Sequence, residues 1–220
     1  MAGDLIEVIF DVETQKLFEE IEDRDPGKLL ISVVSAYRRK IDKDYREIEG
    51  EMKSFWIPEA RLFPTLDEMW EWFEGADRII GFNTLGFDIA AVEPYYEKSF
   101  AELSHFDILE EIRKNFGRRI SLDAVAKETI GLDQSKIASG LDAVAWWKMR
   151  TKESLENLKK YCEEDVRVTR DVYDYGLREG KLKFKDRWNE PREVGVDFLY
   201  KKEDPTTPEA SLGAGQMGLF

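Results

Sequence analysis

The stretch "IFDVETQ", residues 9–15, decides the fold because it ends an apolar run with two acids at strand spacing. In an extended chain, residues two apart project from the same face, so the carboxylates of Asp11 and Glu13 point the same way. Two like charges held at that separation repel each other unless a cation lies between them. The pattern therefore predicts a cation site at the end of a buried strand.

The bulk composition limits the kind of protein. The 220-residue chain suits a single domain, and its 42% hydrophobic content is that of a globular protein. The formal net charge of −13 argues against a nucleic-acid binder that works through a broad basic face. It leaves room for an enzyme that contacts a short stretch of nucleic acid through bound cations. With one cysteine and no apolar run of membrane-spanning length, we expect a cytoplasmic protein that has no membrane partner.

The apolar pattern predicts strands followed by alternating strands and helices. The predicted strands lie at 5–13, 28–38, 51–59, 77–83 and 106–109, with the charged segment 39–50 as a turn. The predicted helices lie at 65–75, 86–98, 120–131, 139–149 and 154–180, and a hairpin follows at 181–198. Thr65 and Glu68 form a capping box, and Pro94 limits the helix that contains it. This order predicts an α/β domain whose mixed central sheet is flanked by helices.

Two further segments contain acids in positions suited to metal binding. Asp88 falls where a loop after a strand becomes a helix, a position that points a side chain into a cleft. Tyr161 and Asp165 are four residues apart in a strong helical pattern, so they share a face. That face also carries the apolar residues that should pack on the sheet, and an acid there is costly unless it is paired or metal-bound.

Together these acids match the ligands that hard divalent cations prefer. Mg²⁺ takes oxygen ligands, commonly one or two carboxylates together with substrate phosphate and water. Two such ions about 3.5–4 Å apart can stabilise both the attacking and the leaving oxygen of a phosphoryl displacement. We therefore expect two Mg²⁺ or Mn²⁺ ions as cofactors.

Three short motifs carry a family resemblance: "FDVET" at 10–14, "GFNTLGFD" at 81–88 and "YCEEDV" at 161–166. In this order and at these separations they resemble the exonuclease motifs of the DEDD superfamily, which has a ribonuclease H-like fold. The tyrosine four residues before the last aspartate places the chain with the tyrosine branch, which includes the exonuclease domains of family-B polymerases. The resemblance implies a ribonuclease H-like α/β domain and 3′→5′ cleavage that releases 5′-mononucleotides.

The resemblance also implies a role for each matching residue. Asp11, Glu13 and Asp165 would hold one metal ion, with Asp11 bridging to a second that Asp88 supports. Tyr161 would orient the attacking water, although a reference pKa of about 10 makes it a poor base at neutral pH. The substrate-binding residues implied are Thr14, Asn83 and Phe87.

The residues leave alternatives open. The same metal site would cleave DNA or RNA, so these residues do not distinguish a DNA exonuclease from an exoribonuclease. We favour the DNA exonuclease. A non-catalytic adaptor built on a degenerate nuclease fold is the rival from another class, and the intact acids argue against it. Asp107 is interpreted as a strand-end residue. One of Trp146 and Trp147 should be buried in the core, while the other could stack on bases.

The end of the chain differs in composition from the rest. We predict an exonuclease domain at 1–203 and a flexible tail at 204–220, which is unpatterned and bears Pro and Gly. Its last five residues, "QMGLF", resemble the pentapeptide by which bacterial replication and repair proteins dock on the β sliding clamp. The resemblance implies that Gln216, Leu219 and Phe220 contact that partner, which would tether an acidic enzyme to DNA.

Overall fold

The predicted first strand is the centre of the sheet. In the computed structural model, strand β1 (Leu5–Thr14) pairs antiparallel with β2 (Ile31–Ile41) and parallel with β4 (Arg78–Gly81). The edge strands are β3 (Glu47–Trp56), antiparallel to β2, and β5 (His105–Asp107), parallel to β4. The strand order β3-β2-β1-β4-β5 is the mixed sheet predicted from the sequence.

The structure describes residues 4–60, 62, 64–132 and 138–200. Its α-helices are α1 (Leu66–Glu74), α2 (Asp88–Val92), α3 (Ile108–Phe116), α4 (Leu122–Ile130), α5 (Gly140–Met149) and α6 (Lys152–Glu179). A two-stranded hairpin of β6 (Lys181–Lys185) and β7 (Pro191–Gly195) follows α6. None of the helices in these ranges has both the length and the apolar composition that a membrane crossing requires.

Several element boundaries follow from local chemistry. Helix α1 has the predicted capping box of Thr65 and Glu68. The long helix α6 begins after Thr151, whose side chain accepts a hydrogen bond from the Ser154 N–H, and ends at Gly180 in the left-handed conformation, with φ of 66°.

Three predicted elements were wrong in extent. The charged segment 39–50 is mostly strand, because β2 and β3 continue past the domain core and are joined by a tight turn over residues 42–46. Only residues 105–107 of the predicted strand at 106–109 are extended, since Asp107 caps α3, a helix that the sequence analysis missed. The helix predicted at 86–98 is five residues long, and Pro94 lies in the 3₁₀ turn after it.

The buried side chains form two clusters. One contains the edge-to-face ring pairs of Phe10, Phe73 and Phe100, with centroids 5.2–5.8 Å apart. The other contains Tyr173 of α6 and Phe184 of the hairpin. Helix α6 contributes to both, with Leu158 and Cys162 in the first cluster and Tyr173 in the second, and this packing fixes α6 against the sheet.

Candidate metal centre

The end of β1 and the middle of α6 bring three acids together. The strand register places Asp11 opposite Ser35 and Glu13 opposite Val33, so the two carboxylates share one face of β1, and a bulge follows between Glu13 and Thr14. Asp165 comes from the facing turns of α6. One carboxylate oxygen each from Asp11, Glu13 and Asp165 lies within 4.8 Å of the others.

The environment of Asp11 disfavours its charged form. Burial raises the pKa of Asp11 well above the ordinary carboxyl value, and the neighbouring charges of Asp165, Asp88 and Glu13 raise it further. The Cys162 thiol opposes this shift, with its sulfur 3.6 Å from Asp11 Oδ2. The arrangement therefore concentrates negative charge that a bound cation would neutralise.

The donor set fits a hard divalent cation. All three groups in the cluster offer carboxylate oxygens, which Mg²⁺ and Mn²⁺ prefer over nitrogen or sulfur ligands. A bound ion could draw these three oxygens together as its ligands. Asp11, Glu13 and Asp165 thus form a site able to hold such an ion.

Asp88 lies near this cluster, although it is not one of the three acids whose oxygens lie within 4.8 Å of one another. It is the first residue of α2 and is buried. Burial raises its pKa to about 7; backbone hydrogen bonds at Asp88 and Val12 oppose the shift, whereas the charges of Asp107 and Asp165 add to it. The predicted fourth acid is therefore within electrostatic range of the other three.

Tyr161 lies beside the same acids. Its hydroxyl is hydrogen-bonded to Asp165, and Trp146 packs edge-on against its ring with a centroid distance of 6.3 Å. Burial raises the pKa of Tyr161 above its ordinary value of 10.0, and the charges of Asp165, Glu13 and Asp11 raise it further. The phenol therefore stays protonated at neutral pH and can orient a water molecule but not deprotonate it.

A cleft of about 260 Å³ opens next to Glu13. Phe18 and Phe87 both line it and pack edge-to-face, with ring centroids 6.0 Å apart and planes at 70°. Thr14 also lines the cleft, and its hydroxyl donates to the Lys16 carbonyl at 3.0 Å. The sequence analysis selected Thr14 and Phe87 but not Phe18, because nothing in its local pattern distinguishes it from a core residue.

Asp107 anchors the loop that carries Asn83 through hydrogen bonds. The buried Asp107 carboxylate accepts hydrogen bonds from the backbone N–H groups of Asn83 at 2.8 Å and Leu85 at 2.9 Å. The same carboxylate caps α3 by accepting from Leu109 and Glu110. Asp107 is thus a strand-end residue, as interpreted, but it also ties two segments together, which only the three-dimensional structure reveals.

Asn83 itself adopts a left-handed conformation, with φ of 71°, that asparagine tolerates better than most residues. Its side-chain oxygen accepts a hydrogen bond from the Arg119 guanidinium at 3.0 Å. A Cβ at Gly86 would lie 2.7 Å from that oxygen, so a larger residue there would displace the Asn83 side chain. Arg119 is a second residue near the site that the sequence analysis missed.

The two tryptophans of α5 differ as expected. Trp147 is buried and stacked under the Arg150 guanidinium, whereas Trp146 is half-buried against Tyr161. The predicted partner-binding residues Gln216, Leu219 and Phe220 lie outside the described residues.

The family model of the RNase_H superfamily matches residues 8–176, a range that contains every acid of the cluster. The chain belongs to the RNase_H superfamily. The match supports a nuclease-type enzyme, and the α/β fold with its five-stranded mixed sheet is ribonuclease H-like. A search of the curated proteins found no match.

Among solved structures, the chain is similar to the family B DNA polymerase from the hyperthermophilic archaeon Pyrobaculum calidifontis, with a TM-score of 0.52. The two chains share 19% sequence identity. The match covers 79% of this chain and 24% of the polymerase, so this chain spans about a quarter of that protein's length. At this identity the likeness supports the fold alone.

We expect the substitution Asp11→Asn to stabilise the metal-free protein at high pH. Because the pKa of Asp11 is raised in the folded state, its neutral form favours folding below the ordinary carboxyl pKa. This stabilisation is lost as the pH rises through the raised value, where the buried carboxyl group becomes charged. In EDTA at pH 8, the variant should melt at least about 2–4 °C above the wild type, since about 1 kcal/mol moves Tm by that much at this chain length. At pH 5 the difference should shrink.

The same Tm values are measured by differential scanning fluorimetry with and without Mn²⁺. The metal should raise the Tm of the wild type more at pH 8 than at pH 5, because the carboxylates are more fully charged at pH 8. A wild type that is as stable as Asp11→Asn at pH 8 in EDTA would contradict the proposed charge concentration.

We expect Asp107→Asn to loosen the loop at residues 83–86. The substitution keeps the size of the side chain but replaces one accepting oxygen with an NH₂ group, so backbone N–H groups lose their partner. In hydrogen–deuterium exchange, the amides of Asn83 and Leu85 should exchange at least about 10-fold faster than in the wild type.

The control for this prediction is Thr65→Ala, which removes a helix cap elsewhere in the domain. It should leave exchange at residues 83–86 unchanged. Equal exchange at these amides in Asp107→Asn and the wild type would show that Asp107 does not hold the loop.

Proposed function

We propose that this protein is a metal-dependent 3′→5′ exonuclease that hydrolyses terminal phosphodiesters and releases 5′-mononucleotides, with single-stranded DNA as the favoured substrate. The observation that carries the proposal is the meeting of Asp11, Glu13 and Asp165 oxygens within 4.8 Å beside an open cleft. Membership of the RNase_H superfamily supports a nuclease, and the three motifs of the sequence favour the exonuclease chemistry of the DEDD tyrosine branch.

The four acids would hold two Mg²⁺ or Mn²⁺ ions. Asp11, Glu13 and Asp165 would bind the first, and Asp11 would also contact the second, which Asp88 supports. When bound, such ions polarise the phosphodiester and lower the pKa of water. The protein fixes the carboxylates by mounting two on a central strand and one on a helix packed against it, so little reorganisation is needed for binding.

The remaining residues would position the substrate. The protonated phenol of Tyr161 donates its hydrogen to Asp165, and its oxygen can accept a hydrogen bond from a water molecule aligned with the terminal phosphodiester. Phe87 and Phe18 would contact the terminal base or sugar in the cleft, and the backbone at Thr14 would meet the 3′-hydroxyl. Asn83 would support the terminus from the loop that Asp107 anchors.

DNA is favoured over RNA because the three sequence motifs resemble those of polymerase exonuclease domains. The exoribonuclease and the non-catalytic adaptor remain the rival functions. An adaptor would have no need of a cluster of three acids beside a cleft. Parallel digestion of DNA and RNA oligonucleotides of the same sequence separates the first two functions.

We expect Asp165→Asn to abolish degradation of a 5′-labelled single-stranded DNA 12-mer in Mn²⁺, by at least about 100-fold, because a metal ligand is lost. The wild type should give a ladder that shortens stepwise, and a 3′-labelled strand should release labelled mononucleotide first. Denaturing gels and thin-layer chromatography of the products measure both results.

The matched control is Glu164→Gln, since Glu164 is the adjacent acid on α6, lies outside the metal cluster and is ion-paired with Arg167. Its activity should stay within about twofold of the wild type. Full activity in Asp165→Asn would remove this residue from the mechanism, and internal cleavage products would overturn the exonuclease proposal.

We further propose that Gln216, Leu219 and Phe220 bind a β sliding clamp. Deletion of residues 216–220 should abolish co-elution with a purified bacterial clamp while leaving the cleavage rate on short single strands unchanged, because the tail acts by tethering. A double substitution of Leu219 and Phe220 by alanine should have the same effect. Clamp binding that survives either change would exclude this role.

A further inference from the structure

The tip of the β6–β7 hairpin presents a tryptophan to solvent. Trp188 is 61% exposed, the one aromatic among the strongly exposed large apolar side chains of the described residues. The turn that carries it is well braced, because Asp186 accepts hydrogen bonds from the N–H groups of Trp188 and Glu190 and from Arg192 Nε at 2.9–3.1 Å. A large aromatic side chain is thus held in water on an ordered turn.

The hairpin is also fixed to the domain. The Thr129 hydroxyl of α4 donates to the Lys183 carbonyl at 2.8 Å and accepts from the Lys183 N–H at 2.9 Å. Phe116 at the end of α3 packs edge-on against Phe184 with centroids 4.8 Å apart. The position of Trp188 relative to the metal centre is therefore set by the core and not by a loose loop.

Two arginines surround the exposed indole. The guanidinium carbon of Arg187 lies 4.0 Å from the Trp188 ring centroid, and that of Arg118 lies 5.8 Å away. Within the described part of the chain, neither arginine forms an ion pair with a carboxylate, although acids outnumber bases by 46 to 33. Arg118 is the more distant of the two arginines, and the indole keeps 61% of its surface exposed, which is available to a flat group.

The loop that carries Arg118 also contacts the Asn83 loop near the candidate metal centre. Arg119 follows Arg118 in the loop between α3 and α4, and its guanidinium donates to Asn83 Oδ1 at 3.0 Å. Asn83 belongs to the loop that leads into Asp88. The loop with Arg118 and Arg119 therefore links the segment that leads into Asp88 to the hairpin tip, in a protein with a net charge of −13.

We propose that Trp188, Arg118, Arg119 and Arg187 bind the single-stranded nucleic acid that leads away from the cleaved 3′ end. A base would stack on the Trp188 indole, and the guanidinium groups would pair with phosphates on the 5′ side of the terminal nucleotide. Stacking on an aromatic ring tolerates any base, which suits an exonuclease that removes successive nucleotides. The inference rests on the proposed function and adds to it an extended substrate contact.

Binding is measured in the Asp165→Asn background, so that cleavage does not interfere. Fluorescence anisotropy with 5′-fluorescein-labelled dT12 gives Kd for Trp188→Ala, Trp188→Phe and the control Ile48→Ala, which removes a 53% exposed apolar side chain on β3. Trp188→Ala should raise Kd by about 5- to 150-fold, the loss expected for one stacked base. Trp188→Phe should retain most of the affinity, and Ile48→Ala should match the parent.

The arginines are tested through salt dependence. In the double substitution Arg118→Ala and Arg187→Ala, the slope of log Kd against log salt concentration should fall by about 1.4, since each phosphate contact on a single strand contributes about 0.7. A labelled U12 strand should show the same losses as dT12, because neither stacking nor phosphate pairing reads the 2′-hydroxyl.

The outcomes separate this inference from the proposed function. Equal Kd values for Trp188→Ala and Ile48→Ala would overturn the inference, whether or not the wild type cleaves DNA, and would assign the exposed tryptophan to another kind of partner. An unchanged salt slope in the arginine double variant would overturn the role of the cations. Loss of affinity in Trp188→Ala, together with a wild type that cleaves nothing, would support the binding surface and reject the exonuclease.

Discussion

Mutual repulsion among carboxylates is the constraint on which the account of this structure depends. Packing of α6 on the sheet brings oxygens of Asp11, Glu13 and Asp165 within 4.8 Å of one another, with the buried Asp88 in electrostatic range. Burial and the neighbouring charges raise the pKa values of Asp11 and Asp88, so the metal-free fold is strained at neutral pH. The apolar contacts of Leu158 and Cys162 hold α6 in place against that repulsion. A divalent cation would neutralise this repulsion, so the same arrangement of carboxylates would act as a binding site.

Among the described residues, the neighbours of Asp11 and Asp88 position these two carboxylates without compensating their charge. Within the described residues, no cation forms an ion pair with Asp11 or Asp88; the partners described for them are the Cys162 thiol and backbone groups. Asp107 extends this logic by fixing the Asn83 loop through backbone N–H groups. Arginine side chains occur further out, at Arg119 and around Trp188, where they can meet a polyanionic strand without neutralising the metal ligands.

The sequence predicted the fold class and the clustering of the acids because both depend on strong local periodicity. The buried strand at 5–13 and the helix at 154–180 are long and regular, so the faces of Asp11, Glu13 and Asp165 could be assigned from spacing alone. The role of Asp107 could not be predicted, since its partners on the Asn83 loop are 22–24 residues away and are backbone groups. The extent of β2 and β3 was missed for a different reason: charged residues that alternate on an exposed ribbon resemble a turn in composition.

The most direct test of the metal centre is an anomalous difference map from crystals grown with Mn²⁺. We expect a peak bounded by carboxylate oxygens of Asp11, Glu13 and Asp165, within direct coordination distance of all three. A peak located elsewhere on the protein, or none between these three residues at a Mn²⁺ concentration that raises Tm, would contradict it.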